Sequence, residues 1–293
     1  METIQKPNIC VVHLVWVPLG TAPLKDFLSS YEQYRSGLAH DLVVIFSGFE
    51  REQELEHLRE LLSSYRYFPI YVRKPGLDIT SYFKAVRAFD YDYYCFLNSY
   101  SRFLDHEWLS KLFYHLGNGV GLVGATGSYE SMYTVFMEGR EPIRGKRLLT
   151  RIRMRLNQNI KMMKKRLRFP PFPNYHVRTN GFMASREVLQ KIRTGSIRRK
   201  THAYKFESGK NSLTRQVLRM GLRALVVGKD GKGYEMEQWC RSGTFRQGEQ
   251  ENLLIADNQT DMYSLADGKT KRLLSWRSWG AGAAGSNLEK SEW

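Results

Sequence analysis

Apolar residues come in short unbroken runs through the first half of the chain, and helical stripes separate them. Ile9-Cys10-Val11-Val12-His13-Leu14-Val15-Trp16-Val17 is almost wholly apolar, as in a strand buried on both faces of a parallel sheet. Pro18-Leu19-Gly20 ends it, and Leu24, Phe27, Leu28 and Tyr31 then mark one face of a helix over residues 23–35. The pattern repeats, with strands at 41–46, 67–72, 93–97 and 119–124 and helices at 52–65, 78–89 and 107–116. Further on, 178–184 reads as a strand, 186–193 and 213–220 as helices, and Ala224-Leu225-Val226-Val227 as a last buried strand. Such alternation predicts an α/β fold with a mostly parallel central sheet and helices on both faces.

In sheets of this kind ligands bind beyond the carboxyl ends of the strands. That singles out Val17 and Pro18 after the first strand, Ser47 after the second and Asp78 after the third. After the fourth come Asn98, Ser99 and Arg102, and after the fifth residues 125–128. The chain has no Walker-type phosphate loop, no Gly-x-Gly-x-x-Gly after the first strand and no Gly-x-Ser-x-Gly elbow. A P-loop enzyme, a Rossmann dehydrogenase and an α/β-hydrolase all lose ground.

Two stretches break the rhythm. Eleven Lys or Arg and no acid lie between Arg144 and Arg168, and without those eleven the formal charge of +16 would be +5. Leu149, Ile152, Leu156, Ile160, Met163 and Leu167 recur there at three- and four-residue steps. Arg151, Arg153, Arg155, Lys161, Lys164, Lys165 and Arg166 fill the other faces. This predicts a basic amphipathic helical insertion over 138–173, closed by Phe169-Pro170-Pro171-Phe172-Pro173. A helix of that type fits the anionic inner leaflet of a membrane. It also fits an ordinary helix with its apolar row packed on the domain, or a nucleic-acid-binding stretch. The chain lacks a recognisable nucleic-acid motif, so no nucleic-acid partner is expected. From Gly243 onward apolar periodicity fades. Residues 1–242 therefore read as one domain and 243–293 as an extension whose Gly/Ala/Ser-rich end, 281–293, is expected to be disordered.

Cys10, Cys95 and Cys240 are odd in number and far apart, which suits buried thiols in a reducing compartment. No run approaches the roughly 20 apolar residues that span a bilayer. The polar start of the chain lacks the basic-then-apolar order of a secretory signal. A cytoplasmic location is expected, peripheral on the membrane if the basic helix binds there.

The order of parts carries one resemblance. Arg73-Lys74-Pro75-Gly76-Leu77-Asp78 precedes a helix, Tyr91-Asp92-Tyr93-Tyr94-Cys95-Phe96-Leu97-Asn98-Ser99 forms a strand and its exit, and Trp108-Leu109 follows. Over residues 8–235 this resembles the GT-A glycosyltransferases of the family-2-like kind, and rhamnan-synthesis F-type polysaccharide glycosyltransferases. The resemblance implies transfer of a sugar from a nucleotide-sugar donor to a bacterial surface-polysaccharide or lipid-linked acceptor, with a non-catalytic assembly partner of the same fold, or a nucleic-acid-binding protein using 144–168, as the alternatives. It places Val17, Pro18, Ser47, Asp78, Asn98, Ser99, Arg102, Arg178, Asn180 and Gly181 around the donor.

The chain departs from the family where Asp-x-Asp would hold a divalent metal, for Asn98-Ser99-Tyr100-Ser101 stands there. Neutral Asn and Ser are poor ligands for a hard cation. Either no metal is required or Asp105 helps, and no metal is assigned. Lys74, Arg102 and Arg178 are then the candidates to offset the leaving diphosphate charge. A strand-ending turn with no ligand is the alternative for Asn98-Ser99, and a β-bulge or tight bend for Asn180-Gly181. The resemblance also implies a general base at a helix start. Glu207 lies nearest that place, with helix capping as its alternative. Asp230 is the second candidate, in an Asp-Gly turn. His13 and His202 read as core residues rather than ligands.

Overall fold

The computed structural model describes residues 7–73, 78–139, 148–195, 197 and 200–282. The Lys74-Pro75-Gly76-Leu77 step, the Asp78 side chain, residues 140–147 and the tail from 283 lie outside the described residues.

The apolar runs form the strands they predict. β1 (Ile9–Trp16), β2 (Asp41–Ser47), β3 (Tyr67–Val72) and β4 (Tyr93–Leu97) lie parallel to one another, with α1 (Ala22–Gln33), α2 (Glu56–Leu61) and α3 (Asp78–Ala88) between them. Side chains alternate across a strand, so an unbroken run serves two cores. Cys10, Val12 and Leu14 of β1 pack with Tyr82, Phe83 and Val86 of α3. Ile9, Val11 and Val15 pack on the other face with Leu24, Phe27 and Leu28 of α1.

Beyond β4 a short β5 (Arg102–Phe103) leads to α4 (Trp108–Tyr114) and to β6 (Val120–Gly124). After β7 (Gly127–Ser128) and α5 (Met132–Glu138) comes α6 (Leu148–Arg168), the basic helix. β8 (His176–Val177) and β9 (Phe182–Ser185) follow, then α7 (Arg186–Lys191), α8 (Lys200–Ser208), α9 (Leu213–Arg219), β10 (Arg223–Val227) and β11 (Gly233–Tyr234). One sheet of eight strands results, in the order β11-β10-β6-β9-β4-β1-β2-β3. β9 and β11 are antiparallel in it and the other six share one direction. Helices cover both faces, as the alternation implied. Cys10, Cys95 and Cys240 are all buried and free.

Two expectations are corrected here. The strand expected over 178–184 starts only at Phe182, because Gly181 takes φ 62°, a left-handed conformation that glycine adopts without strain. The α6 row Leu149, Ile152, Leu156, Ile160, Met163 and Leu167 is exposed, from 41% at Ile160 to 81% at Leu149. It does not pack on the domain, which removes the ordinary-helix alternative for that face.

Residues 243–282 fold back on the sheet through β12 (Ile255–Ala256), α10 (Asn258–Ser264) and α11 (Gly268–Trp279). β12 pairs antiparallel with β5, Ile255 facing Phe103 and Ala256 facing Arg102. Side-chain amides stand in for regular structure in the stretch before β12. Gln247 accepts from the Gly243 N–H, and Gln250 accepts from the Arg246 N–H at 3.0 Å. Phe245, Leu254, Ile255 and Trp279 are buried.

Candidate functional site

The β12–β5 pairing sets the start of α10 against the exit of β4, and a cavity of about 370 Å³ lies there. Asn98, Arg178, Asn180 and Glu207 line it together with His176, Asp257 and other polar groups. The volume falls within the roughly 300–1,000 Å³ of small-molecule sites.

Arg178-Thr179-Asn180 joins three walls. Arg178 donates to Asp257 at 2.8 and 3.4 Å and lies over the Phe245 ring at 4.3 Å. Thr179 donates its N–H at 2.8 Å, and its hydroxyl, to one oxygen of Glu207. The Asn180 Oδ1 accepts the Asn98 N–H at 2.9 Å and the Ser101 hydroxyl at 2.7 Å. Gly181 closes the corner, its N–H on the Phe96 carbonyl and its own carbonyl accepting from Ala125.

The exit of β4 is a built turn. The Asn98 Oδ1 accepts the Tyr100 N–H at 2.9 Å and the Ser101 hydroxyl at 3.3 Å. Ser99 accepts the Trp16 N–H and donates to the Leu14 carbonyl, each at 2.9 Å, so it latches β1 to β4. With both amide oxygens occupied, the Asn98 and Asn180 amide nitrogens are left without a partner among the described residues. A neutral N–H donor therefore stands at Asn98, where the resemblance would place a carboxylate, and Asn180 adds a second beside it. This donor set does not fit a divalent metal. Asp105 does not repair it, because Lys111 holds its carboxylate at 2.6 Å. Among the described residues no group of three or more His, Cys, Asp or Glu is placed to hold a metal ion.

Glu207 reaches the cavity by another route than expected. It sits in the last turn of α8, not at a helix start. α8 ends at Gly209, where a Cβ would lie 2.4 Å from the Lys205 carbonyl oxygen, and α9 starts afresh with Ser212 as its N-cap. Glu207 is thus not a cap, and its second carboxylate oxygen has no partner among the described residues.

Several groups here carried no signal in the pattern of apolar positions. His176 donates from Nδ1 to the Asn174 carbonyl at 2.7 Å, which leaves Nε2 as the acceptor of a neutral ring. Burial lowers its pKa and holds that form. Arg246 donates to Glu130 and Gln259, each at 3.1 Å, and lies 4.8 Å from the Phe245 centroid. Asp257 accepts two N–H groups at the start of α10 while it pairs with Arg178. A sequence signal for Asp257 does exist: Leu253-Leu254-Ile255-Ala256 is a short apolar run, and Asp257 with Thr260 makes a capping box after it.

The remaining candidates lie elsewhere. Ser47 and Val17 are buried outside the cavity, and Pro18 is exposed in the turn after β1. Arg102 pairs with Asp261 at 2.5 Å. Asp230 accepts from the Tyr234 hydroxyl at 2.7 Å and the Lys232 N–H, so it closes its turn away from the cavity. His13 is a core residue stacked on Phe27.

Both arginines face carboxylates, so the cavity offers amides, carboxylates, a neutral imidazole and an aromatic face, with little free positive charge. That chemistry suits hydroxyl groups better than a diphosphate. The fold and cavity define an α/β protein with a polar cavity at the carboxyl edge of its sheet.

The chain matches no protein-family model and no curated protein. In structure it is similar to a mannosyltransferase from Pyrobaculum calidifontis in complex with GDP-Man and Mn2+, at 13% identity and a TM-score of 0.46. That likeness covers 80% of this chain and 58% of the other. It is also similar to S. aureus TarS 1-349, at 9% identity and a TM-score of 0.31, over 48% of this chain and 38% of that one. The chain thus spans less than two thirds of either structure.

Proposed function

We propose that the protein is a glycosyltransferase that moves a sugar from a nucleotide-sugar donor to a hydroxyl of a bacterial surface glycan or its lipid-linked precursor. One observation carries the reading. Asn98, Asn180 and Glu207, each named by its place in a glycosyltransferase-like order of parts, line one polar cavity at the exit of β4. The donor sugar and the acceptor hydroxyl share this cavity. The nucleotide lies toward the ends of β1 to β3, where Val17, Pro18, Ser47 and Asp78 stand. The Asn98 and Asn180 amide N–H groups donate to donor oxygens in place of a metal. The free oxygen of Glu207 takes the proton of the acceptor hydroxyl as it attacks the anomeric carbon, and the nucleoside diphosphate leaves. His176 accepts a hydrogen bond from the acceptor beside it.

The exposed apolar row on α6 favours a second statement. This helix holds the protein on an anionic membrane surface, which brings the site to lipid-linked acceptors. Among the described residues no helix is long and apolar enough to cross a membrane.

A thermal-shift screen against UDP-, GDP-, CMP- and dTDP-sugars, each with and without Mn2+, tests the transferase. A donor at 100 times its dissociation constant adds about 2.7 kcal/mol, or several degrees. One nucleotide class is expected to shift the melt without metal. The isosteric Glu207→Gln variant is expected to keep that shift and to lose transfer. No shift with any donor overturns the proposal.

A further inference from the structure

A second, smaller cavity of about 200 Å³ lies between α5, α6 and α8. Met132 and Tyr204 line both it and the larger cavity, so the two spaces adjoin. Its floor is apolar, with Met132, Phe136 and the buried Phe169. Its lip is cationic, with Lys161, Lys164, Lys165 and Arg168. None of these four has a carboxylate partner among the described residues. Lys165 lies over the Phe169 ring at 5.4 Å, and burial lowers its pKa, as does the neighbouring Arg168.

The four cations fall at positions i, i+3, i+4 and i+7 of α6, one face of a helix. At 100° per residue that face lies beside the exposed row of Leu156, Ile160, Met163 and Leu167. The end of α6 is anchored there. Ser131 donates to the Pro170 carbonyl at 2.5 Å, and Lys210 donates its N–H to the Arg168 carbonyl at 2.9 Å. An apolar exterior, a cationic lip and an apolar floor thus lead, in that order, to the candidate catalytic cavity.

We propose that this groove is the acceptor subsite for an amphiphilic anion: a phosphate group held by Lys161, Lys164, Lys165 and Arg168, with an apolar chain running out toward the exposed row on α6. A lone cationic patch would take free phosphate equally well. The apolar floor and the adjoining exposed row select the anion that carries a chain. The assignment rests on the glycosyltransferase reading for its meaning as an acceptor site, but binding at the groove is measurable without turnover.

Calorimetry with decyl phosphate below its micelle concentration tests it, with inorganic phosphate and decyl maltoside as the other arms. The wild-type protein is expected to bind decyl phosphate at least tenfold more tightly than either. The Lys161→Gln/Lys165→Gln variant is expected to lose tenfold or more of that affinity, and Lys164→Glu alone to lose a comparable amount. A Leu149→Gln/Ile152→Gln variant, altered on the exposed row away from the groove, is expected to bind decyl phosphate as the wild type does. Equal binding of decyl phosphate by wild type and both lysine variants overturns the proposal. So does inorganic phosphate binding as tightly as decyl phosphate, which would leave only an anion site, and so does decyl maltoside doing so. The nucleotide-sugar shift, read on the same lysine variants, separates the two hypotheses. A retained donor shift with lost decyl phosphate binding supports the groove. Decyl phosphate binding that needs the lysines, without any donor shift in any variant, removes the transferase and leaves a binding site.

Discussion

Arg178 and Asp257 are almost out of water, with side chains 11% and 1% exposed. Among the described residues theirs is the one ion pair that ties the loop before β9 to the C-terminal segment. Removing one partner of a buried pair costs far more than the pair is worth, because the other charge is stranded. Asp257 also caps α10, so the two roles need separating. Asparagine caps as well as aspartate, and Asp257→Asn therefore removes the charge and keeps the cap. Its urea midpoint is expected to fall by the equivalent of roughly 3–5 kcal/mol at unchanged slope. Asp257→Ala is expected to lose about 1 kcal/mol more, through the cap. An Asp257→Asn protein as stable as wild type would mean that Arg178 keeps its solvation by another route, and the pair would cease to define that wall.

At the scale of elements, α6 sets a sharp test. It carries eight Lys or Arg and no acid over Leu148–Arg168, beside an apolar row that nothing in the described chain covers. Each Lys or Arg near an anionic surface contributes about 1 kcal/mol, and the attraction fades within a Debye length. The protein is expected to float with vesicles that contain phosphatidylglycerol, to release at high salt, and to ignore neutral vesicles. Leu156→Gln/Met163→Gln should release it at low salt as well. Retention by that variant would reduce the interaction to charge alone. This helix shows how far the pattern of residues reaches. Period and charge along 148–168 foretold the element, yet whether its apolar row met the domain depended on a surface contributed by distant segments. The strands β1, β2 and β4 were legible because burial on both faces leaves almost no polar gap in Ile9–Trp16 or in Leu42–Phe46. Residues 243–252 were not, because Gln247 and Gln250 satisfy the backbone with side-chain amides and leave no apolar period to detect. Glu207 was placed on the wrong helix because a stop at Gly209 and a start at Ser212 lie within three residues of each other. Glu207, which lines the cavity, was singled out in the sequence, and its partner Thr179 was not.

The whole molecule carries a pH dependence built into its core. His13, His40 and His176 are all driven toward the neutral form, chiefly by burial, and His13 is pushed down to about 3. Its ring stacks on Phe27 at 3.7 Å, and neither ring nitrogen has a hydrogen-bond partner among the described residues. When the chain unfolds, each such ring regains an ordinary pKa near 6.5. Between that value and its folded pKa, the unfolded state binds a proton that the native state refuses. Stability conferred by a lowered histidine pKa is therefore complete above about pH 6.5 and is lost as pH falls, by about 1.4 kcal/mol per unit for each fully buried ring. Carboxylates held below their usual range, such as Asp105 and Asp230, act only at lower pH and leave this window to the histidines. His13→Leu removes one strongly lowered contributor and two ring nitrogens without a partner among the described residues, whose burial costs about 1–3 kcal/mol. The variant is expected to be at least as stable as wild type at pH 7.5 and to lose less stability on going to pH 5.5, read as urea midpoints at both. If the two proteins decline in parallel, the acid sensitivity does not come from His13. The linkage would then have to run through His40 and through His176, which burial also drives toward the neutral form.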